Sequence, residues 1–331
     1  MTRLLDGLRR TVGDDVAALL GFLLAVVVVF GIAAPKFLSA ANFDSIAFQL
    51  PEFGLLTLAM LIPIISGGIN LAIIYTANMA GLTLAWVLNS HGGPDAGVTA
   101  FVVGSVLAIG VGALAGAVMG AVIAYTGAHP ILVSLAMMIF LRGLGEFLTR
   151  GGDISGFPDF MAPIGHGTLL GIPVPLVIFA VAAVAWHFLL SRTRHGVAAS
   201  MIGSNIRATE YSGIPVKRTL TLIYTLSGAM CALAGILMLA RFNSVRVGHG
   251  EALLLVTVLA CFLGGVDPFG GFGRVAPVAV ALVVLQALSS GLNLIGANQH
   301  LSTAVWGLFL IAVMILRWTF RRLQKNPKGR T

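Results

Sequence analysis

Gln286, Ser289, Ser290 and Asn293 recur every three or four residues, so one face of a helix would carry all four. Amides and hydroxyls in that pattern do no covalent chemistry. They offer weak, replaceable hydrogen bonds, which suit a neutral polyhydroxylated molecule in transit; packing one helix against another is their other use. A second polar group, Asn70, Tyr75, Thr76 and Asn78, sits in "SGGINLAIIYTANMAG". Asn70 presents both a donor and an acceptor to a hydroxyl, or else caps the start of a helix. Thr257 is the hydroxyl within the apolar run "LLLVTVLACFLGG". Asn70, Tyr75, Asn78, Thr257, Gln286, Ser290 and Asn293 are therefore the candidate lining of a substrate pathway. No catalytic set and no metal site is expected. The seven histidines are scattered without ligand spacing, and Cys231 and Cys261 lie in apolar runs, as small buried hydrophobes do.

The elements that position these groups must be membrane helices. Of 331 residues, 58% are hydrophobic and 10% charged, against about 25% charged in a soluble domain. Hydropathy, broken at proline, glycine and charge, gives about ten spans. They run near 16–34, 46–65, 69–89, 98–125, 130–149, 173–190, 218–240, 251–266, 274–296 and 301–317. The third reads as partly unwound at its glycines and the eighth as a half-span. The first span, behind a basic start, has no convincing small-residue cleavage site and is expected to be retained. With the amino terminus inside, fifteen Lys and Arg fall on the cytoplasmic side and five outside, so both termini are expected in the cytoplasm. The net charge of +8 is spread over loops, which fits that bias better than nucleic-acid binding. Spans 2–5 and 7–10 are of similar length with span 6 unpaired between them, the plan of an inverted repeat. The expected architecture is thus an all-α polytopic membrane protein: a single transmembrane domain over 1–331, a cytoplasmic loop at 191–217, and a basic cytoplasmic tail at 318–331.

That loop contains "GSNIRATEYSGIPVKR". Burying Arg192, Arg194, Arg207, Lys217 and Arg218 would cost about 2.5–3.5 kcal/mol each, so it is no span. Ser204 or Asn205 can cap a short helix from about 206 to 212, with Gly213 as its stop and Pro215 beyond. A two-turn polar helix is marginal alone; it is held by a partner or is a solvated loop. On the other side, Arg142, Glu146 and Arg150 are spaced for an ion-pair ladder or a docking rim. The loop 151–172, with Asp153 and Asp159, is the longest external surface. Gly112, Gly116 and Gly120 form a small-residue face suited to helix packing within one subunit.

The chain resembles the permease subunits of monosaccharide ABC importers, the ribose/xylose/arabinose/galactose permease family. Gly203-Ser204-Asn205, Ala208-Thr209 and Ser212-Gly213-Ile214 follow that family's loop pattern, with Ser204 replacing a glycine. "SGGINLA", "HPILVSLAMMIFLRGL", "TRHG", "LGGVDPFGGFGRV" and "LSSGLNLIG" follow in the family's order across about residues 42–317. Asn70 stands where the family usually carries Asp, and Glu251 falls about three residues too early for the family's acidic position, so no role is assigned to it.

The resemblance implies a non-enzymatic translocation subunit in the bacterial inner membrane, importing a monosaccharide or similar small polyol. It implies an ABC ATPase partner docked on the coupling residues Gly203, Asn205, Ala208, Glu210, Ser212 and Gly213. It also implies a second permease copy or paralogue, and a periplasmic binding protein that would dock at Asp153 and Asp159. The chain lacks a G-x-x-x-x-G-K-[ST] phosphate loop, so ATP and Mg belong to the partner and no cofactor to this chain. The alternative, an ion-coupled secondary transporter, requires a carboxylate or basic residue deep in a span; the acidic residues fall at span ends or in loops, with Glu52, beside Pro51, the nearest exception.

Overall fold

The computed structural model describes residues 14–298, 301, 304–309, 311 and 315. The basic tail and much of the span expected at 301–317 lie outside the described residues. The long helices are α1 (Asp14–Ala33), α2 (Ala40–Ile65), α3 (Ile73–Ser90), α4 (Val98–Thr126) and α5 (Pro130–Thr149). After the short α6 (Ala162–His166) come α7 (Val174–Arg192), α8 (Arg194–Ser204), α9 (Ile206–Tyr211), α10 (Val216–Phe242), α11 (Leu253–Leu263) and α12 (Val275–Leu294). Seven of these, α1, α2, α4, α5, α7, α10 and α12, are long and apolar enough to cross a membrane.

Two of the expected spans fall short of that measure, one by burial and one by length. Helix α3 is buried at every position from Ile73 to Leu82, so its polar residues meet protein rather than lipid. Helix α11 has 11 residues, too few to cross. By contrast α1, α5 and α7 expose large apolar side chains such as Leu24, Ile139 and Val181, as lipid-facing helices do. The third span is unwound where its glycines predict. Residues 66–72 leave the helix, Ser134 Oγ donates to the Ile69 carbonyl at 2.9 Å, and the helix resumes at Ile73.

Helix α10 is the hub, packed against α2, α3 and α4. Its closest neighbour is α4, which runs antiparallel to it. A Cβ on Gly112 would press on the Gly228 carbonyl, one on Gly116 would collide with the Tyr224 carbonyl, and one on Gly120 would meet Thr221. The small-residue face therefore lets two backbones touch within one chain.

At the opposite end of α10 from its start, the loop at 151–172 is stitched to it. Strand β1 (Ile154–Ser155) pairs antiparallel with β4 (Ser244–Val245), while β2 (Thr168–Leu169) pairs with β3 (Ile172–Pro173). The Phe157 amide donates to Asn243 Oδ1 at 2.9 Å, and His166 Nε2 lies 2.7 Å from the Arg241 carbonyl oxygen.

The α4–α10 contact gives a paired test. Gly116→Val should lower the melting temperature of the detergent-solubilised protein, by the equivalent of at least about 2 kcal/mol for overpacking. Gly110→Val, on the same helix with nothing within 4 Å of its Cβ position, should leave it unchanged. Equal melting of both variants would contradict the packing.

Candidate functional site

A cavity of roughly 700 Å³ opens at the end of the bundle where α10 finishes. Gln49 and Glu52 of α2 line it, with Arg241 and Phe242 of α10, the loop from Arg246 to Ala252, and Gln286 and Ser289 of α12. Gln49 and Glu52 share a face of α2 because they are three residues apart. Arg241 Nη1 stands 2.9 Å from Glu52 Oε1, with both side chains largely buried. Gln286 Nε2 donates to Gln49 Oε1 at 3.0 Å.

The cavity wall continues in a surface network. Tyr75 Oη donates to Glu251 Oε1, and Arg142 lies 3.8 Å from that same oxygen while its Nε bonds Glu146 Oε1 at 3.0 Å. The expected Arg142–Glu146 pair is thus formed. Arg150 instead ends α5 with φ 54°, in the left-handed region.

The seven candidate pathway residues occupy different settings. Gln286 lines the cavity, and Ser290, one position past the cavity-lining Ser289, donates to Asn42 Oδ1 at 2.5 Å. Tyr75 holds Glu251. Asn78 Nδ2 donates to the Val247 and His249 carbonyls at 2.5 and 3.0 Å, fixing the loop that forms one wall. Asn70 is fully buried: its Nδ2 donates to Ser227 Oγ at 3.0 Å and its Oδ1 accepts the Ala72 amide, closing a turn just ahead of α3. Thr257 is fully buried and bonds the Leu254 carbonyl at 2.6 Å. Asn293 is exposed near the end of α12. Asp153 and Asp159 are exposed on the loop stitched to α10.

Gln49, Glu52, Arg241, His249 and Glu251 are the groups that sequence reasoning left out of the site. A signal for two of them was present: Glu52 and Arg241 each interrupt an apolar run, and an ionisable residue inside a span marks a pathway unless shown otherwise.

The other end of α2 is sealed. Ile65 is 13 residues beyond Glu52, about 20 Å along the helix, and α2 is buried at every position between. There the Gly271 amide donates to the Ile65 carbonyl at 2.8 Å, and Ser200 Oγ donates to the Gly271 carbonyl. A Cβ on Gly203 would collide with the Ile65 carbonyl and the Gly271 amide; one on Gly270 would lie 2.7 Å from Gly67 Cα. Three glycine motifs far apart in sequence, "SGGIN", "IGSN" and "FGGFG", therefore meet backbone to backbone.

From Gly203 the chain passes directly into α9. Asn205, not Ser204, is its cap, its Oδ1 accepting the Ala208 amide at 3.0 Å, and Gly213 follows with φ +78°. Thr209 is buried, while Asn205, Ala208, Glu210, Ser212 and Gly213 are exposed and Tyr211 is 93% exposed.

His249, in the loop between α10 and α11, packs tilted against Phe242 with ring centroids 4.2 Å apart. Burial, then the nearby Arg246, lowers its pKa below the usual 6.5, with Asp153 opposing. The folded loop therefore binds fewer protons than the unfolded chain near that pH, and the stability this confers is lost as pH falls through about 6.5. The contribution of His249 to the melting temperature should fall between about pH 7.5 and about pH 5. His249→Gln should flatten part of that slope, and an unchanged slope would contradict the assignment.

Residues 42–316 match the family model described as "Branched-chain amino acid transport system / permease component". The chain is similar to the Autoinducer 2 import system permease protein LsrD of Photorhabdus temperata, 32% identical over 309 residues, covering 91% of this chain and 90% of the relative. The LsrD of Yersinia enterocolitica shows the same identity and coverage, and that of Salmonella typhi is 30% identical with the same coverage. No solved structure matches the chain. A match over most of the length, on a bundle with a cavity at one end and a sealed contact at the other, establishes that the chain belongs to this family of membrane-embedded transport-system permeases, the one to which the sequence resemblance pointed.

Proposed function

We propose that this chain is the membrane-spanning permease subunit of an ABC importer that moves a monosaccharide or similar small polyol into the cytoplasm. The family description names branched-chain amino acids and the relatives' names autoinducer 2, so the cargo of this chain is argued from its own cavity. The observation that carries the reading is that cavity. Its volume of roughly 700 Å³ suits a small ligand. Its polar lining is amides, a hydroxyl and balanced charge, with Arg241 and Arg246 against Glu52 and Glu251.

In the orientation that the Lys and Arg distribution favours, the termini and α9 face the cytoplasm and the cavity faces outward. A periplasmic binding protein then delivers cargo to the cavity mouth, resting on the loop that carries Asp153 and Asp159. The ATPase partner, which holds ATP and Mg, grips α9, where Tyr211 and Ile206 are exposed apolar handles. Gly203, in the last turn of α8, stands directly before that grip, so a shift of α9 pulls on Ile65 and Gly271 and loosens the seal. A second permease copy or paralogue completes the pathway. The inverted repeat belongs to the same reading: α2 and α10 have 26 and 27 residues, and each is followed by a non-helical break and a shorter helix, α3 or α11.

The ion-coupled alternative does find a carboxylate inside a span, Glu52. Its fixed partner Arg241 at 2.9 Å and the family membership do not favour that role.

Copurification with the cognate ATPase tests the coupling. Asn205→Ala with Gly213→Ala removes a cap worth about 1 kcal/mol and strains a left-handed position. Uptake should fall at least about tenfold and ATPase recovery should drop. Full uptake with the ATPase retained would overturn the coupling assignment. Asp153→Lys with Asp159→Lys should separately abolish stimulation by the binding protein; unchanged stimulation would remove the docking assignment.

A further inference from the structure

We propose that Glu52 and Arg241, flanked by Gln49 and Gln286, form the subsite that holds the transported molecule, and that the group they take is a neutral vicinal diol. This rests on the polyol-permease reading above and adds the atoms that make the contact.

Stability does not explain the pair. Desolvating a carboxylate and a guanidinium costs several kcal/mol each by the usual estimates, and well-packed apolar residues often serve as well or better. Ionisable groups kept inside a membrane bundle mark the path of a substrate. Here both groups open onto the cavity, and the cluster draws on three helices, α2, α10 and α12, from both halves of the chain.

The pair is also incompletely satisfied. Glu52 is 5% exposed, and its Oε1 is buried 2.9 Å from Arg241 Nη1 without a directed hydrogen bond. Glu52 lines the cavity, and a carboxylate has a second oxygen, so acceptor capacity toward the cavity rests with Oε2. Arg241 carries five N–H donors, and among the described residues Glu52 is its one ion-pair partner. Two adjacent hydroxyls complement this arrangement: one O–H donates to the Glu52 carboxylate while the neighbouring oxygen accepts from the Arg241 guanidinium. The Gln49–Gln286 pair, already joined donor to acceptor, can exchange that bond for bonds to further hydroxyls. Phe242, with its ring centroid 5.2 Å from the guanidinium, adds an apolar wall for the C–H face of a ring.

Charge sets the class. An anion entering the cavity meets Glu52 and Glu251 as well as Arg241 and Arg246, so the lining offers it no net counter-charge. A zwitterion needs its two charges met separately, whereas Glu52 and Arg241 already occupy each other. A neutral diol needs neither separation nor a counter-charge.

The test uses the whole importer, permease with its cognate ATPase and binding protein, in proteoliposomes. The labelled probes are D-ribose, D-galactose, xylitol and L-leucine. Wild type should take up at least one of the three polyols. Glu52→Gln and Gln286→Ala should each raise KM for that probe at least about tenfold, with kcat and the recovered amount of complex nearly unchanged. The charge-swapped double variant, Glu52→Arg with Arg241→Glu, restores a pair. It should keep the amount of folded permease at the wild-type level without supporting uptake, a separation that a purely structural ion pair would not produce. Undiminished uptake of a polyol by the single variants, or rescue of uptake by the swap, overturns the subsite and leaves the permease reading standing. Uptake of leucine alone, or of no probe, overturns the polyol reading and the subsite with it.

Discussion

Backbone amides and carbonyls have no water to turn to inside a bilayer, so every departure from helix must be enclosed by protein and bonded there. Three departures govern this molecule: residues 66–72 after α2, 243–252 after α10, and 264–274 after α11. Each is held by groups from elsewhere in the chain. Ser134 bonds the first, Asn78 the second, and Ser200 with Ile65 the third. The tight glycine contact of α4 with α10 follows from the same need, because it brings the shielding helices close enough to enclose α3. The cavity and the seal lie where those breaks occur.

Much of the frame was legible from local chemistry. The spans near 98–125 and 130–149 correspond to α4 at Val98–Thr126 and α5 at Pro130–Thr149, because glycine and proline mark both ends. The short helix after Gly203 was legible from its Asn205 cap and Gly213 stop. The site was less so. Tyr75 finds Glu251 176 residues away and Asn78 finds Val247 169 away, and no periodicity within one helix identifies such partners. A polar side chain in an apolar run requires a hydrogen-bond partner, but the run does not say whether that partner is protein or cargo. Asn70 and Thr257 are bonded inside the protein, whereas Gln286 faces the cavity. Glu251 was set aside on its register against a resemblance, and its position beside Tyr75 follows only from how α3 packs.

Helix α2 joins the two ends. It carries Gln49 and Glu52 into the cavity and presents the Ile65 carbonyl to the seal. Between them it is buried on all sides and tied to α7 where Trp186 Nε1 bonds the Leu58 carbonyl at 3.0 Å. A packed helix of this kind moves as a body, so displacement at one end is displacement at the other.

The two-residue ribbon of β1 and β4 has a mechanical consequence. Together with the Phe157–Asn243 bond and the His166 contact on the Arg241 carbonyl, it rivets the loop at 151–172 to the last turn of α10 at three places. Load borne by that loop reaches the guanidinium of Arg241 through a short, stiff strap rather than a slack tether, so whatever alights on the rim tugs directly on the cavity's charged wall.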